Sequence, residues 1–335
     1  MHFHLTAEQV AIQDAVRGTL RECWGMDRLH AFADGEADFD AETWQALMTL
    51  GIGALALPEA EGGAGLGLLD AALVCEVAGE AAAPGPLIGQ IVAALAVAQC
   101  SDAATRALLP GIVSGQTVAT LALDSNLVQC ARAAQLFLAD DGAGGLCLIA
   151  AGAGVDIEAV SSTDRSRPVS RVTFGSASPF PLFAAGDPMV QRIRDAALVL
   201  IAADALGGAQ HCTDLSVDYA KTREQFGQPI GRFQGLKHQL AHMMLDVEPA
   251  RAQVWYAAYS WDAGLPDATR AAAMAKAHLC EVYTRTTRAA IAAHGGIGYT
   301  WEYGLNYWFR RSVHNRAWLG SPAQHRARAA ELAGW

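Results

Sequence analysis

Three long runs with helical periodicity occupy the second half of the chain and constrain its fold more than any other feature. In residues 192–223, 235–263 and 267–296, apolar residues recur at intervals of three and four. This spacing is typical of amphipathic helices. Because the connections between the runs are short, the pattern predicts an up-and-down helical bundle over residues 187–335.

Two other zones precede this bundle. Residues 1–115 also show helical patterns, and the first run begins with Thr6 as a predicted N-cap and Gln9 three residues later. Residues 116–180 instead contain short β-rich runs separated by Gly, Asp and Ser. The sequence therefore predicts a fold that is mostly α with a small central β domain. Its expected parts are an N-terminal α-helical domain (1–115), a small central β domain (116–180) and a C-terminal four-helix bundle (187–335).

Charge and cysteine usage exclude several classes of function. The formal net charge of −10 disfavours nucleic acid and anionic membranes as partners. The seven cysteines are scattered singly, a pattern that indicates reduced thiols and neither disulfides nor a zinc site. The first residues have no signal-peptide core, and we expect no apolar run long enough to span a bilayer, because Asp204 interrupts the best one. We therefore expect a cytoplasmic protein.

A turn with unusual residues, TREQFGQPIGRFQ at 222–234, joins the first two long helices. Its glycines and proline explain the turn, and Arg223 at a helix end would complement the helix dipole. The same arginine, together with Gln225 and Phe226, could instead bind a phosphate and stack on a ring. From the residues alone, both interpretations stay open.

A second candidate, the glycine pair Gly295 and Gly296, follows the third long helix. Adjacent glycines suit a helix C-cap, and they also let backbone amides approach a pyrophosphate closely. We expect no metal site. His238 and His242 have the i, i+4 spacing of metal ligands, but no HExxH motif or third ligand accompanies them.

Four segments together resemble the acyl-CoA dehydrogenase family of flavoproteins. They are similar to its first helix, to a loop with the helix that follows it, and to two signature segments of its C-terminal bundle: 5–23, 50–87, 219–243 and 292–311. The resemblance covers most of the chain and implies the family's fold. It also implies flavin chemistry, in which a carboxylate removes the α-proton of an acyl thioester while the β-hydride goes to FAD.

The resemblance gives both candidate motifs a role in binding the cofactor. In the family, each FAD lies between two subunits, and the turn after the first long helix reaches the diphosphate and adenine end of the neighbour's cofactor. The glycine pair approaches the same part. The cofactor-binding residues that the resemblance implies are Arg223, Gln225, Phe226, Gln234, Gly295 and Gly296.

The family's catalytic base is missing from both of its usual positions. Aligned without gaps, Leu319 stands where most members have a glutamate, and Ala197 where other members have one. The Thr-Glu-Pro-Gly-rich loop that cradles the flavin ring is also missing, and Ala292 replaces an amide. If a gap displaced the alignment, His325 and Gln324 would be the only candidates near Leu319. We therefore predict no catalytic residue in this chain itself.

These departures lead to three hypotheses. In the first, the chain is the shorter subunit of a heterotetrameric (α2β2) bacterial acyl-CoA dehydrogenase of the steroid side-chain type, inactive by itself. A longer homologue then supplies the base, the flavin pocket and the acyl-CoA site, with an electron-transfer flavoprotein as candidate acceptor. In the second, the chain is a self-sufficient homomeric dehydrogenase with a displaced base, at Asp195, Asp204 or Glu302. In the third, it is a scaffold subunit without flavin. The first best explains a chain that keeps the half-site for its neighbour and loses its own.

Overall fold

The N-terminal region is helical, as the sequence predicts. The computed structural model describes residues 4–335, so residues 1–3 of the predicted N-terminal domain lie outside it. The first helix begins with the predicted capping box, in which Thr6 N donates to Gln9 Oε1 (3.1 Å) and Gln9 N donates to Thr6 Oγ1 (3.2 Å). The helices of this region are α1 (Ala7–Cys23), α2 (Met26–Asp34), α3 (Ala41–Thr49), α4 (Leu68–Glu80), α5 (Leu87–Gln99), α6 (Ala103–Arg106) and α7 (Leu109–Val113).

Helices α4 and α5 form the centre of this region because they are apolar on nearly every side. All residues of α5 except Gln99 are buried, and so are most residues of α4. A helix that is hydrophobic all round must be covered on all sides by its neighbours. The polar side chain inside α5 is hydrogen-bonded: the buried Gln90 side chain donates to Thr117 O at 2.9 Å.

Two small sheets make up the central region. The first has the strand order β1-β3-β4-β7 and the second β2-β6-β5; β1 and β3 run parallel and the other pairs antiparallel. A separate apolar cluster around Phe137, Val128 and Val172 is buried with these strands. The strands are β1 (Ala119–Ala122), β2 (Leu127–Gln129), β3 (Leu136–Asp140), β4 (Leu146–Ala150), β5 (Val155–Ala159), β6 (Val169–Phe174) and β7 (Phe180–Phe183).

A helical bundle follows. Asp187 caps the first helix by accepting from Met189 N at 2.8 Å, and Pro188 fits the first helical position. A glycine allows this helix to contact α4 through the backbone, because a Cβ at Gly207 would lie 1.8 Å from Glu76 O. The elements are α8 (Pro188–Thr222), the short strands β8 (Glu224–Gln225) and β9 (Gln228–Pro229), α9 (Gln234–Asp262), α10 (Ala268–His294), α11 (Leu305–Ala317) and α12 (Pro322–Leu332). The prediction of a mostly α fold with a small central β domain is confirmed.

Helix α8 corrects one expectation. By length and composition it is long and apolar enough to cross a membrane, although we expected no run to reach that limit. Asp204 does not interrupt it, because Arg311 and Asn315 pair with this carboxylate inside the protein. Of its most apolar window, 89% is buried in the structure. It is therefore the core helix of the bundle.

The cysteines agree with the sequence. All seven are free thiols, and six of them are buried.

Candidate functional site

The turn between α8 and α9 is an exposed hairpin, which we call the hairpin tip (residues 223–229). Helix α8 ends at Thr222, and β8 and β9 pair across Phe226 and Gly227. Both corner residues have left-handed backbones, with φ of +54° at Phe226 and +73° at Gly227. Glycine adopts this conformation easily, whereas phenylalanine does so at a cost of about 1–2 kcal/mol. The turn alone therefore does not explain why a phenylalanine occupies this position.

The side chains of the hairpin tip are almost without partners. Within residues 4–335, the Arg223 side chain makes no hydrogen bond or ion pair, and Gln225 Nε2 donates only to Glu224 O at 2.8 Å. The Phe226 ring is 91% exposed, and its aromatic neighbour is Phe233, edge-on at 5.9 Å between ring centroids. An exposed aromatic ring beside an unpaired guanidinium is typical of a binding surface.

The glycine pair (Gly295 and Gly296) is equally open. Helix α10 ends at His294, and Gly295 has φ +64°. A Cβ at either glycine would meet nothing within 4 Å. By contrast, a Cβ at Gly298 would lie 2.7 Å from Ile291 O, so that glycine is required by packing. The first two glycines therefore expose backbone to whatever approaches this end of the bundle.

An aromatic stack brings the hairpin tip and the glycine pair to the same end of the bundle. The ring of Tyr219, in the last turn of α8, stacks on His294 at 4.4 Å. The backbone of Arg223 is tied to the same tyrosine, since Arg223 N donates to Tyr219 O at 2.8 Å. His294 Nδ1 donates to Ala290 O, and burial lowers the pKa of its imidazole. Gln234, the first residue of α9, is exposed. The binding roles of these residues stay predictions.

The two positions where the family carries its base lie in the interior. Ala197 is fully buried in α8, and Leu319 is buried in the connection between α11 and α12. Neither side chain can accept a proton. His325, six residues after Leu319, is occupied, since its Nε2 donates to Leu319 O at 2.7 Å.

The three carboxylates that could replace the base have different surroundings. Asp204 accepts two hydrogen bonds of 3.1 Å from Arg311 Nε. Burial favours its neutral form, but the charges of Arg311 and Arg167, together with the hydrogen bonds from Arg311 and Asn315, outweigh burial and hold the pKa of Asp204 below its ordinary value. Burial raises the pKa of Asp195, whose oxygens accept from Thr269 (2.6 Å) and from Gln191 (2.7 Å). Glu302 is exposed after the glycine pair.

Asp204 belongs to a larger buried ionic cluster, which we define as Asp164, Arg167, Asp204, Arg311 and Asn315. Arg167 Nε donates to Asp164 (3.0 Å), its Nη2 donates to Asn315 Oδ1 (2.7 Å), and Asn315 Nδ2 donates to Asp204 (2.6 Å). The cluster joins the central region to α8 and α11. The sequence analysis missed it, because its members are separated by up to 151 residues and no local pattern relates them.

No metal centre is apparent. Within residues 4–335, no group of three or more His, Cys, Asp or Glu side chains is arranged to hold a metal ion. His238 and His242 lie exposed on α9, and Gln234 Nε2 lies 3.3 Å from His238 Nε2.

Comparisons with known proteins identify the family. The model for "Acyl-CoA dehydrogenase, N-terminal domain" matches residues 6–116, and that for "Acyl-CoA dehydrogenase, C-terminal domain" matches residues 195–333. The curated protein "Acyl-CoA dehydrogenase IpdE2" of Mycolicibacterium smegmatis is 30% identical, over 96% of this chain and 97% of its own length. "Acyl-CoA dehydrogenase FadE34" of Mycobacterium tuberculosis is 31% identical, over 98% of this chain but only 48% of its own length.

A solved structure has the same fold along its whole length. "Tcur3481-Tcur3483 steroid ACAD G363A variant" superimposes with a TM-score of 0.89 at 29% identity, and the match covers 98% of both chains. Together with the two matched domains, it accounts for the helical, β and bundle regions described above. The chain is therefore a member of the acyl-CoA dehydrogenase family.

Proposed function

We propose that this chain is the shorter, non-catalytic subunit of a heteromeric FAD-dependent acyl-CoA dehydrogenase. In this proposal its hairpin tip completes the FAD site of a longer homologue. The observation that supports it is the pair Arg223 and Phe226, exposed and without a polar side-chain partner within residues 4–335, at the bundle end that also bears the glycine pair.

The chemistry of these groups fits FAD. A guanidinium with all five N–H donors free can bind a diphosphate through two parallel hydrogen bonds, and an exposed phenyl ring offers a stacking face. The open backbone at Gly295 and Gly296 allows a phosphate to approach without a side chain in between. Gln225 in the hairpin tip and Gln234 at the start of α9 add two exposed amides. When bound, FAD supplies the acceptor for the hydride that leaves the acyl β-carbon.

The missing base assigns the chemical step to the partner. With Leu319 and Ala197 at the family's base positions, the longer homologue would contribute the carboxylate and the acyl-CoA pocket, in an α2β2 complex. An electron-transfer flavoprotein is the candidate electron acceptor.

The names of the similar proteins favour a steroid-derived acyl-CoA as substrate, since one is a steroid ACAD. A relative roughly twice the length of this chain fits a functional unit that needs a second, homologous part.

Co-purification with a longer homologue tests the proposal. We expect the complex to show flavin absorbance and acyl-CoA oxidation, and the isolated chain to show neither. Arg223→Ala in the complex should reduce the FAD retained per complex about tenfold, the effect of losing a charge-assisted bidentate contact. Arg21→Ala, which removes an exposed arginine of α1, is the matched control and should retain FAD. Unchanged retention in Arg223→Ala would contradict the proposal.

The other two hypotheses predict different results. Turnover of an acyl-CoA by the isolated chain, abolished by Asp195→Asn, would show a homomeric enzyme with a displaced base. Asp195 is the natural choice for that variant because burial raises the pKa of its carboxyl, as a general base near neutral pH requires. A colourless complex would show a scaffold subunit.

A further inference from the structure

The connection between α11 and α12, residues Trp318–Ser321, contains an unusual backbone. Leu319 has φ +52° and Gly320 has φ +96°. A left-handed leucine costs about 1–2 kcal/mol, so the surroundings must hold it. The next position favours glycine, since φ +96° is strained for other residues and a Cβ at Gly320 would lie 2.8 Å from His325 Nε2.

Two titratable side chains hold this turn by its carbonyl groups. Lys276, fully buried on α10, donates from Nζ to Asn315 O at 2.7 Å and to Gly320 O at 3.3 Å. His325 Nε2 bonds Leu319 O at 2.7 Å; because a carbonyl only accepts, this nitrogen carries the proton. Consecutive carbonyls of the turn, those of Leu319 and Gly320, are therefore both occupied.

The position of Lys276 is unusual for a buried lysine. Within residues 4–335 it forms no ion pair, and its hydrogen-bond acceptors are backbone carbonyls. Asn315 lies in the last turn of α11, where helix carbonyls lack an intrahelical partner and a cation is favoured by the helix dipole. Burying this side chain is costly unless it is compensated. The contacts of Lys276 indicate that it fixes the end of α11 and the turn beyond it.

The turn separates two cavities. One, of about 350 Å³, lies against Val160, Val169, Val313 and Trp318, so its walls are largely apolar. The other, of about 290 Å³, is lined by charged groups of both signs. Arg194 pairs there with Asp124 and Asp140, whereas Arg328 forms no ion pair within residues 4–335. Leu319 and Asp124 line both. Leu319 is thus the apolar side chain that stands between an apolar compartment and a charged one, in which Arg328 is the arginine without an ion pair within residues 4–335.

We propose that Trp318–Ser321 is a fixed partition that closes this chain's own ligand pocket. Leu319 blocks the passage, and Lys276 and His325 are the positioning residues that keep it in place. The inference deepens the proposed function and rests on it for one point, that the chain does not use this pocket for catalysis. Without the partition, the joined cavity would have an apolar end and, at the other end, the guanidinium of Arg328. It would take an extended apolar chain with an anionic group that pairs with this arginine, such as a fatty acid.

Fatty-acid binding to the isolated chain tests the blocking residue. The probe is cis-parinaric acid, whose fluorescence rises in an apolar site. We expect Leu319→Ala to bind it about tenfold or more tightly than the original chain, the fold-change that corresponds to about 1.4 kcal/mol. Leu245→Ala, at a leucine of α9 that is 66% exposed, is the matched control and should leave the affinity unchanged. Equal affinity in Leu319→Ala and the original chain would overturn the proposal.

A double variant tests the anionic end of the ligand. Adding Arg328→Ala to Leu319→Ala should weaken binding again. An unchanged affinity would place the carboxylate elsewhere and contradict the assigned ligand class.

Hydrogen exchange tests the positioning residues. In Lys276→Met, the amides of residues 317–321 should exchange about tenfold faster, because a typical hydrogen bond contributes about 0.5–1.5 kcal/mol. Thr287→Val removes another buried polar group of α10 and should not change these amides. If Lys276→Met does not fold, His325→Phe removes the other bond and should have the same local effect. Unchanged exchange in the variant that folds would refute the positioning role of Lys276 and His325. Both measurements use the isolated chain without FAD. They can therefore fail while the FAD-retention test succeeds, and they can succeed while that test fails.

Discussion

Arginine serves two opposite purposes in this molecule, one in the buried ionic cluster and one at the hairpin tip. Arg311 is 3% exposed, and its donors reach Asp204, Ala83 O (2.9 Å) and Ser166 Oγ (3.0 Å). Arg223 is exposed, and its side chain has no partner within residues 4–335. The first arginine is satisfied entirely by its own chain, while the donors of the second are unused within residues 4–335.

The difference separates residues that stabilise the fold from residues that we propose to bind FAD. A buried charge must be paired, or the fold loses several kcal/mol. An exposed arginine and phenylalanine cost the fold little when they are removed, so their presence is not explained by stability. The same contrast holds for the backbone: the left-handed Leu319 is held by two side chains, whereas the left-handed Phe226 is held only by a two-residue turn.

The largest expected effect lies in the buried ionic cluster. Asp204→Asn removes the charge that two guanidinium groups face, and it should lower the free energy of unfolding by about 3–5 kcal/mol. Urea unfolding followed by tryptophan fluorescence measures this change. Asp218→Asn, at an exposed carboxylate of the same helix that pairs with Lys221, is the control and should cost less than about 1 kcal/mol. Similar losses of unfolding free energy in the two variants would contradict the distinction between buried, paired charges and exposed ones.

A pH effect of intermediate size comes from His314, which lies beside the cluster. The side chain is half-buried, and the resulting desolvation, together with the charge of Arg167, lowers the pKa of His314 to about 3 from the ordinary 6.5. Its contribution to stability is therefore complete above pH 6.5 and is lost as the pH falls from 6.5 towards 3, because only the unfolded chain takes up the proton. The slope is about 1.4 kcal/mol per pH unit, or about 2 kcal/mol by pH 5.

Substitution isolates this histidine from the other titrating groups. His314→Asn should flatten the decline in unfolding free energy between pH 6.5 and pH 5, whereas His238→Asn, at an exposed histidine of α9, should follow the original curve. The carboxylates Asp164 and Asp204 do not disturb this window, since both have pKa values below their ordinary 3.8 and lose their contribution only at lower pH. Parallel curves for His314→Asn and the original chain would argue against its burial in the neutral form.

The smallest expected effect is at the hairpin tip, where it should favour stability. Phe226→Gly relieves a left-handed phenylalanine, and it should raise the free energy of unfolding by up to about 1 kcal/mol while it reduces FAD retention by the complex. Gly227→Ala, at the next residue, has the opposite sign and should cost about 1 kcal/mol, because alanine is strained at φ +73°. Thermal unfolding of the isolated chain measures both. A loss of more than 1 kcal/mol in Phe226→Gly would mean that the ring belongs to the fold.

Local sequence patterns were sufficient for the regular elements. The three- and four-residue spacing predicted the long helices of the bundle, and Thr6 with Gln9 predicted the start of α1, because each depends on residues within a few positions of one another. The turn at 222–234 could be found from its glycines and proline for the same reason. The sequence alone presents Asp204 as an interruption of an apolar run. This interpretation is wrong because Arg311 pairs with the carboxylate inside the protein, and a partner 107 residues away leaves no local pattern.

By itself, the sequence determined the order of helical, β and bundle regions, the resemblance to the family, and the absence of a carboxylate at positions 197 and 319. These depend on residue identity and local periodicity. Only the tertiary structure decided that the Phe226 ring is exposed, that Tyr219 joins the hairpin tip to the glycine pair, and that Lys276 holds the turn around Leu319. Each of these depends on contacts or free space between segments that are distant in sequence, and such contacts form only when the whole chain has packed.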